Sequence, residues 1–199
     1  MSQNKPKEIR IREIMDAAMQ VFVKKGFSQT RMSDIVTQSG MSKGAIYHHF
    51  RSKRDLFLAL IDYWVTYSFP DFHQYDQEDK SASVILSDFA LEVVRQFQKN
   101  PTIFLAELEF WSMANRDDEV LEKVKLLYGH ILELFERVIQ KGIDQGEFKN
   151  LNSKISALSI MTSLQGITWF TIFESESFKG EEYLRHVMEF IIYGIKKNE

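Results

Sequence analysis

Residues 30–57 read TRMSDIVTQSGMSKGAIYHHFRSKRDLF, and the punctuation of this stretch decides the fold. Thr30 stands where it can cap a short helix that buries Ile35 and Val36. Ser39-Gly40-Met41 makes a turn, and Ser42 caps a second short helix reaching about Phe50. Ser52 then opens a longer helix from Lys53 to about Phe69, carrying Leu56, Phe57, Leu60, Ile61 and Trp64. Upstream, Ile11, Ile14, Met15, Ala18 and Phe22 recur at three- and four-residue spacings, one apolar stripe over 7–25. Gly26 stops that helix after the cations Lys24 and Lys25. Two short helices joined by a Gly-containing turn, behind a longer one, spell a helix-turn-helix.

The second short helix of such a unit lies in the major groove of duplex DNA. Its spacing puts Ile46 and Phe50 on the core side. Lys43 with Tyr47 and Gly44 with His48 are i,i+4 pairs that point elsewhere, flanked by Ala45 and His49. Gly44 and Ala45 are small enough for the backbone to approach base edges. Lys43 can reach a phosphate or a guanine, and Tyr47 and His48 can hydrogen-bond phosphate oxygens. Thr30, Ser42 and Lys53 each stand at a helix start, where exposed N–H groups attract anions. For each hydroxyl plain capping is the competing reading, and for Tyr47 it is partial burial against the first helix.

Charge supports a polyanionic partner. Residues 1–54 hold eleven Lys and Arg against four acids, a surplus of seven in a chain whose net charge is −3. A basic head therefore precedes an acidic remainder, and only the head suits DNA. Chance clustering on a solvated face is the alternative.

Taken together, the apolar stripe, GFSQTRMSDIVTQSGMSKGAIYHHFRSKRDLF and the Tyr47-His48-His49-Phe50 run before Ser52-Lys53 resemble the tetracycline-repressor (TetR) family from Arg12 to about Leu60. Val36 and Ser39 depart mildly from it, standing where many relatives have alanine. The resemblance implies that Thr30, Ser42, Lys43, Gly44, Ala45, Tyr47, His48 and Lys53 lie at a DNA surface, and His49 joins them as their neighbour. It also implies a C-terminal domain that binds an effector, with its last two long helices forming a four-helix dimer interface. Repression rather than activation is a family inference too.

The rest of the chain reads as helix. Prolines fall only at 6, 70 and 101, and no alternating apolar segment is bounded by hairpin turns. Helices are expected at about 82–99, 101–115, 117–142, 153–173 and 180–197, after a polar, acidic linker at 70–80. The expected fold is thus all-α with about nine helices. A DNA-binding domain at 1–54 leads through a connecting helix at 53–69 into an effector-binding and dimerisation domain at 70–199. The 153–173 helix is apolar nearly all round, and Tyr183, Val187, Phe190, Ile191 and Ile195 stripe the last helix. Both patterns suit a homodimer, with burial inside one subunit as the alternative. Two heads about 34–36 Å apart would then read a near-palindromic site.

Large apolar groups with isolated polar ones mark a place for a small apolar or aromatic effector. The candidates are Trp64, Phe89, Phe104, Glu107, Phe110, Trp111, Tyr128, Met161, Gln165 and Trp169, with Phe97 and Phe135 beside them. Most of these also read as ordinary core. Glu107 pairs with a cationic ligand if buried and forms a surface ion pair if exposed. Trp64 and Tyr67 are candidate contacts between the domains.

Other functions find little support. The chain has no cysteine, Gly-rich phosphate loop, nucleophile elbow or H-E-x-x-H motif, so an enzyme is disfavoured and no cofactor is called for. Asp71, His73, Asp76, Glu78 and Asp79 are the nearest approach to a metal site, but loop acids are usually solvated, and no metal is expected. A helical protein–protein adaptor with a basic head is the second alternative. No apolar run approaches the length of a spanning helix, and MSQNKPKEIRIREIM mixes charge into its apolar positions, so a cytoplasmic protein with no membrane partner is expected.

Overall fold

The computed structural model describes residues 6–68, 80–171 and 179–197. The described residues form helices α1 (Lys7–Gln29), α2 (Met32–Ser39), α3 (Lys43–His49), α4 (Lys53–Ser68), α5 (Ala82–Lys99), α6 (Thr102–Ala114), α7 (Asp118–Asp144), α8 (Ser153–Gln165) and α9 (Gly180–Ile195). A 3₁₀ segment, Gly166–Thr171, follows α8. The chain divides into two compact units, one of Met1–Tyr67 with Thr102–Lys125 and the other of Ser68–Pro101 with Leu126–Glu199. The acidic segment at 71–79, with its five candidate metal ligands, lies outside the described residues, as does the side chain of Tyr67.

In the first unit, Ile14, Met19, Phe22, Ile35, Ile46, Leu56, Phe57, Leu60 and Phe110 are buried together with Trp64. Their rings interlock. Phe57 meets Phe22, Phe27 and Phe110 edge-on, and Trp64 meets Phe110 at 90°. The Trp64 indole donates to the Ile103 carbonyl at 2.7 Å, satisfying its buried N–H. Polar straps reinforce these contacts. The Arg54 guanidinium donates two hydrogen bonds to Asp117 and pairs with Glu119, and Lys123 pairs with Asp62 at 2.6 Å. Arg54 holds the Asp117 carboxyl below the usual carboxylate range, and Asp117 also accepts from the Val120 amide in the first turn of α7.

Gly26 departs from helical geometry at φ 75° and ψ 158°, so α1 bends there and makes one further short turn before Thr30. A positive φ of this kind favours glycine. The Phe27 amide, freed by the bend, donates to the Glu109 carboxylate of α6 at 3.0 Å.

In the second unit, α5 packs on α9. Phe89 and Phe135 meet edge-on at 4.9 Å, among buried Val93, Leu134, Val138, Ile160, Leu164, Leu184 and Met188. Sequence periodicity predicts one helix over 153–173, whereas α8 stops at Gln165 and tightens into the 3₁₀ segment. The cause sits on α9. Tyr183 donates its hydroxyl to the Ser163 carbonyl, and any Cβ on Gly166 would strike that side chain.

Candidate nucleic-acid interface

The side chains predicted to meet DNA fall into two groups in the structure. Ser42, Lys43, Gly44, Tyr47 and His48 are exposed on one side of α3, with Ala45 and His49 half-buried at its edges. Ile46 and Phe50 face the core, as their spacing requires. The Ser42 hydroxyl accepts from the Ala45 amide at 3.2 Å, so it caps α3 and remains exposed. The Lys43 ammonium lies 5.6 Å from the centre of the Tyr47 ring, and Tyr47 is 40% exposed. This face carries a cation, a phenol and an imidazole around two small residues, the side-chain types that phosphate and base-edge contacts use.

The His48 and His49 rings meet edge-on at 5.0 Å. Burial pushes the His49 pKa below its ordinary value, and repulsion from His48, Lys7 and Arg10 pushes it the same way. Lys7 and Arg10, at the start of α1, therefore belong to the electrostatic surroundings of α3. Both cations belong to the basic surplus of residues 1–54, but local spacing does not connect them with α3, because folding makes that connection.

Thr30 corrects an expectation. It is only 2% exposed, and its hydroxyl donates to the Gly26 carbonyl at 2.8 Å. Thr30 thus closes α1 instead of capping α2, because the bend at Gly26 leaves a carbonyl for it. The cap of α2 is Arg31, whose amide donates to Asp34 at 2.8 Å. Val36, expected in the core beside Ile35, is only half-buried.

Lys53 stands at the first position of α4, half-buried. Its ammonium donates to the Phe27 carbonyl at 2.6 Å and the Ser28 carbonyl at 3.4 Å, 4.4 Å from the centre of the Phe27 ring. The end of α1 therefore sets its position.

The effector candidates divide between the two units. In the first, Trp64, Phe104, Glu107 and Phe110 are buried, and Glu107 is only 3% exposed. In the second, Phe89 is buried, and Tyr128, Met161 and Gln165 are half-buried. Trp111 in the first unit and Trp169 in the second are exposed, which separates them from the buried members.

A capped, exposed helix face carried on a basic helix-turn-helix head defines a DNA-binding regulator. Comparison with known proteins agrees. The family profile for bacterial regulatory proteins of the tetR family matches residues 14–60, and that for the C-terminal region of BetI-type transcriptional repressors matches residues 85–192. The chain belongs to the TetR family of transcriptional regulators.

An uncharacterized HTH-type transcriptional regulator of Bacillus subtilis (strain 168), YfiR, is 32% identical over 72% of this chain and 70% of its own length. The crystal structure of the transcriptional regulator FadR from Bacillus subtilis in complex with stearoyl-CoA superposes with a TM-score of 0.78, at 21% identity over 92% of this chain and 98% of that one. A transcriptional regulator from Saccharomonospora viridis in complex with choline superposes at 0.79, with 18% identity over 97% and 100% of the two chains. Family and fold identify a transcription regulator and not an enzyme, and they do not favour the adaptor reading. Among the described residues, no helix is long and apolar enough to cross a membrane.

Proposed function

We propose that the chain represses transcription in the cytoplasm by binding a near-palindromic operator as a homodimer, until a small apolar or aromatic effector releases it. The observation that carries this reading is the α3 face, where Ser42, Lys43, Gly44, Tyr47 and His48 are exposed together on a head with a surplus of seven positive charges. Ala45, His49 and Lys53 complete the proposed contact set. Thr30 acts through the backbone it ties down.

Dimerisation is supported by apolar groups left at the surface of the second unit. Phe190 is 80% exposed and Tyr193 83% on α9, with Ile155 and Leu158 exposed on α8. These exposed apolar groups lie on two helices that pack on each other, and a partner's matching helices would cover them.

The effector reading takes Phe104 and Glu107 in the first unit and Tyr128, Met161 and Gln165 in the second as its candidate lining, with Phe110 and Phe89 packed into the cores behind them. It is supported by the superposable regulators in complex with stearoyl-CoA and with choline, which supply two probes of different chemistry. Effector binding would alter α4, which begins at Lys53, and weaken the fit of both heads to their half-sites.

The test is duplex binding by the full chain with and without Lys43→Ala and Tyr47→Ala. Each substitution should weaken binding, and Lys43→Ala should lower the slope of log affinity against log salt by about 0.9 if it loses one phosphate. Unchanged affinity in the double variant would exclude the proposed face. If stearoyl-CoA or choline raises the unfolding midpoint yet leaves duplex affinity untouched, that compound is not an effector.

A further inference from the structure

Phe27 is held at both ends of its backbone by charged side chains from elsewhere in the first unit. Its amide donates to Glu109 Oε2 at 3.0 Å, across 82 residues of chain. Its carbonyl accepts from Lys53 Nζ at 2.6 Å, and its ring lies 4.4 Å from the same ammonium. The residue before it is the bend at Gly26, where an ideal Cβ would lie 3.7 Å from the Glu109 carboxylate, at ordinary van der Waals distance. The residue after it offers Lys53 a second carbonyl at 3.4 Å. One short turn, which the helical ladder of α1 does not continue into, thus connects a carboxylate on α6 to the first cation of α4.

An ammonium has three N–H donors, and the two carbonyls account for two. A lysine tethered in this way gives up less side-chain freedom on meeting a phosphate than one free in water. The position of the tether then decides where the charge is delivered. That position depends on Glu109, because the Phe27 amide has left its helical partner and takes the carboxylate as acceptor.

We infer that Glu109 is a positioning residue for DNA binding, fixing Lys53 for a backbone phosphate through the Phe27 turn. The inference rests on the reading of Lys53 as a DNA contact given above. It makes α6 part of the DNA-binding apparatus without touching DNA.

The experiment uses the full chain and the duplex that the wild-type protein selects from a random-sequence pool. Affinity is measured against salt for wild type, Glu109→Ala, Glu109→Gln, Lys53→Met and the Glu109→Ala/Lys53→Met pair, with an unfolding midpoint for each. Glu109→Ala should weaken binding about three- to tenfold and lower the salt slope by up to about 0.9, the share of one phosphate. Glu109→Gln should stay within about twofold of wild type, because its amide oxygen still accepts from the Phe27 N–H. In the Lys53→Met background, Glu109→Ala should have almost no further effect.

An equal loss in both backgrounds, or a loss without a change of slope, would show that Glu109 merely supports the fold and would overturn the inference. If Lys53→Met binds like wild type, Lys53 meets no phosphate and the inference falls, while the DNA-binding reading stands on the duplex selected. If the wild type selects no duplex, both fall. Should Glu109→Ala not fold, Glu109→Met, which keeps the side-chain volume, takes its place.

Discussion

At the level of single residues, Ser42 and His49 carry the sharpest expectations. Ser42 is exposed and its hydroxyl accepts from the Ala45 amide, so its structural role is the cap of α3. Ser42→Ala should destabilise the protein by about 1 kcal/mol in chemical denaturation, the usual cost of a lost cap. Ser42→Asp should recover that stability and still bind DNA poorly, since a carboxylate repels phosphate. His49 titrates in the opposite sense to a paired histidine. Its pKa lies below the ordinary value, so the stability at stake is fully present above the unfolded value and is lost as pH falls through the folded one. Phosphates beside it would favour the imidazolium. Duplex affinity should therefore rise as pH is lowered from about 7.5 to 6, by no more than about tenfold per unit for one proton, and His49→Gln should flatten that rise. Side chains whose roles depend on local spacing, such as Ser42 and Ile46, were legible in the sequence. Thr30 was not, because its hydroxyl answers to a carbonyl exposed by the bend at Gly26.

At the level of helices, glycines with different surroundings give opposed predictions. Gly166 lies against Tyr183, with ring atoms 3.0 and 3.2 Å from an ideal Cβ. Gly166→Ala should cost about 1–3 kcal/mol through overpacking, read as a lower unfolding midpoint. Gly129 lies within α7 with nothing within 4 Å of its ideal Cβ. Gly129→Ala should stabilise by about 0.5–1 kcal/mol, the difference in helix propensity. Periodicity located the helices but not the break after Gln165, whose cause is a tyrosine on another helix. The same limit applies to α6. Its apolar run announces a helix, yet only folding shows that Glu109 holds the end of α1 and that Asp117, just beyond α6, holds Arg54. Contacts between residues distant in the chain leave no trace in local spacing.

For the molecule as a whole, the all-α class was legible from helical periodicity, whereas charge separates only residues 1–54 from the remainder, and the first compact unit joins Met1–Tyr67 with Thr102–Lys125 through contacts distant in the chain. Assembly is where the remaining expectation lies. Phe190 and Tyr193 are 80% and 83% exposed, so Phe190→Asp with Tyr193→Asp should leave the fold intact and, on the proposed assembly, shift sedimentation from dimer to monomer. Duplex affinity should fall with it, because two joined heads bind with the effective concentration that the dimer imposes. A wild type that sediments as a monomer at micromolar concentration would contradict the proposed assembly. Selection from a random pool of duplexes, followed by a salt titration of the winner, tests operator binding most directly. The expected winner is a near-palindrome whose half-sites lie about one turn apart, 34–36 Å or a multiple, with affinity falling about a thousandfold between 50 and 200 mM salt. A pool that returns no preferred sequence, with weak binding indifferent to salt, would contradict it.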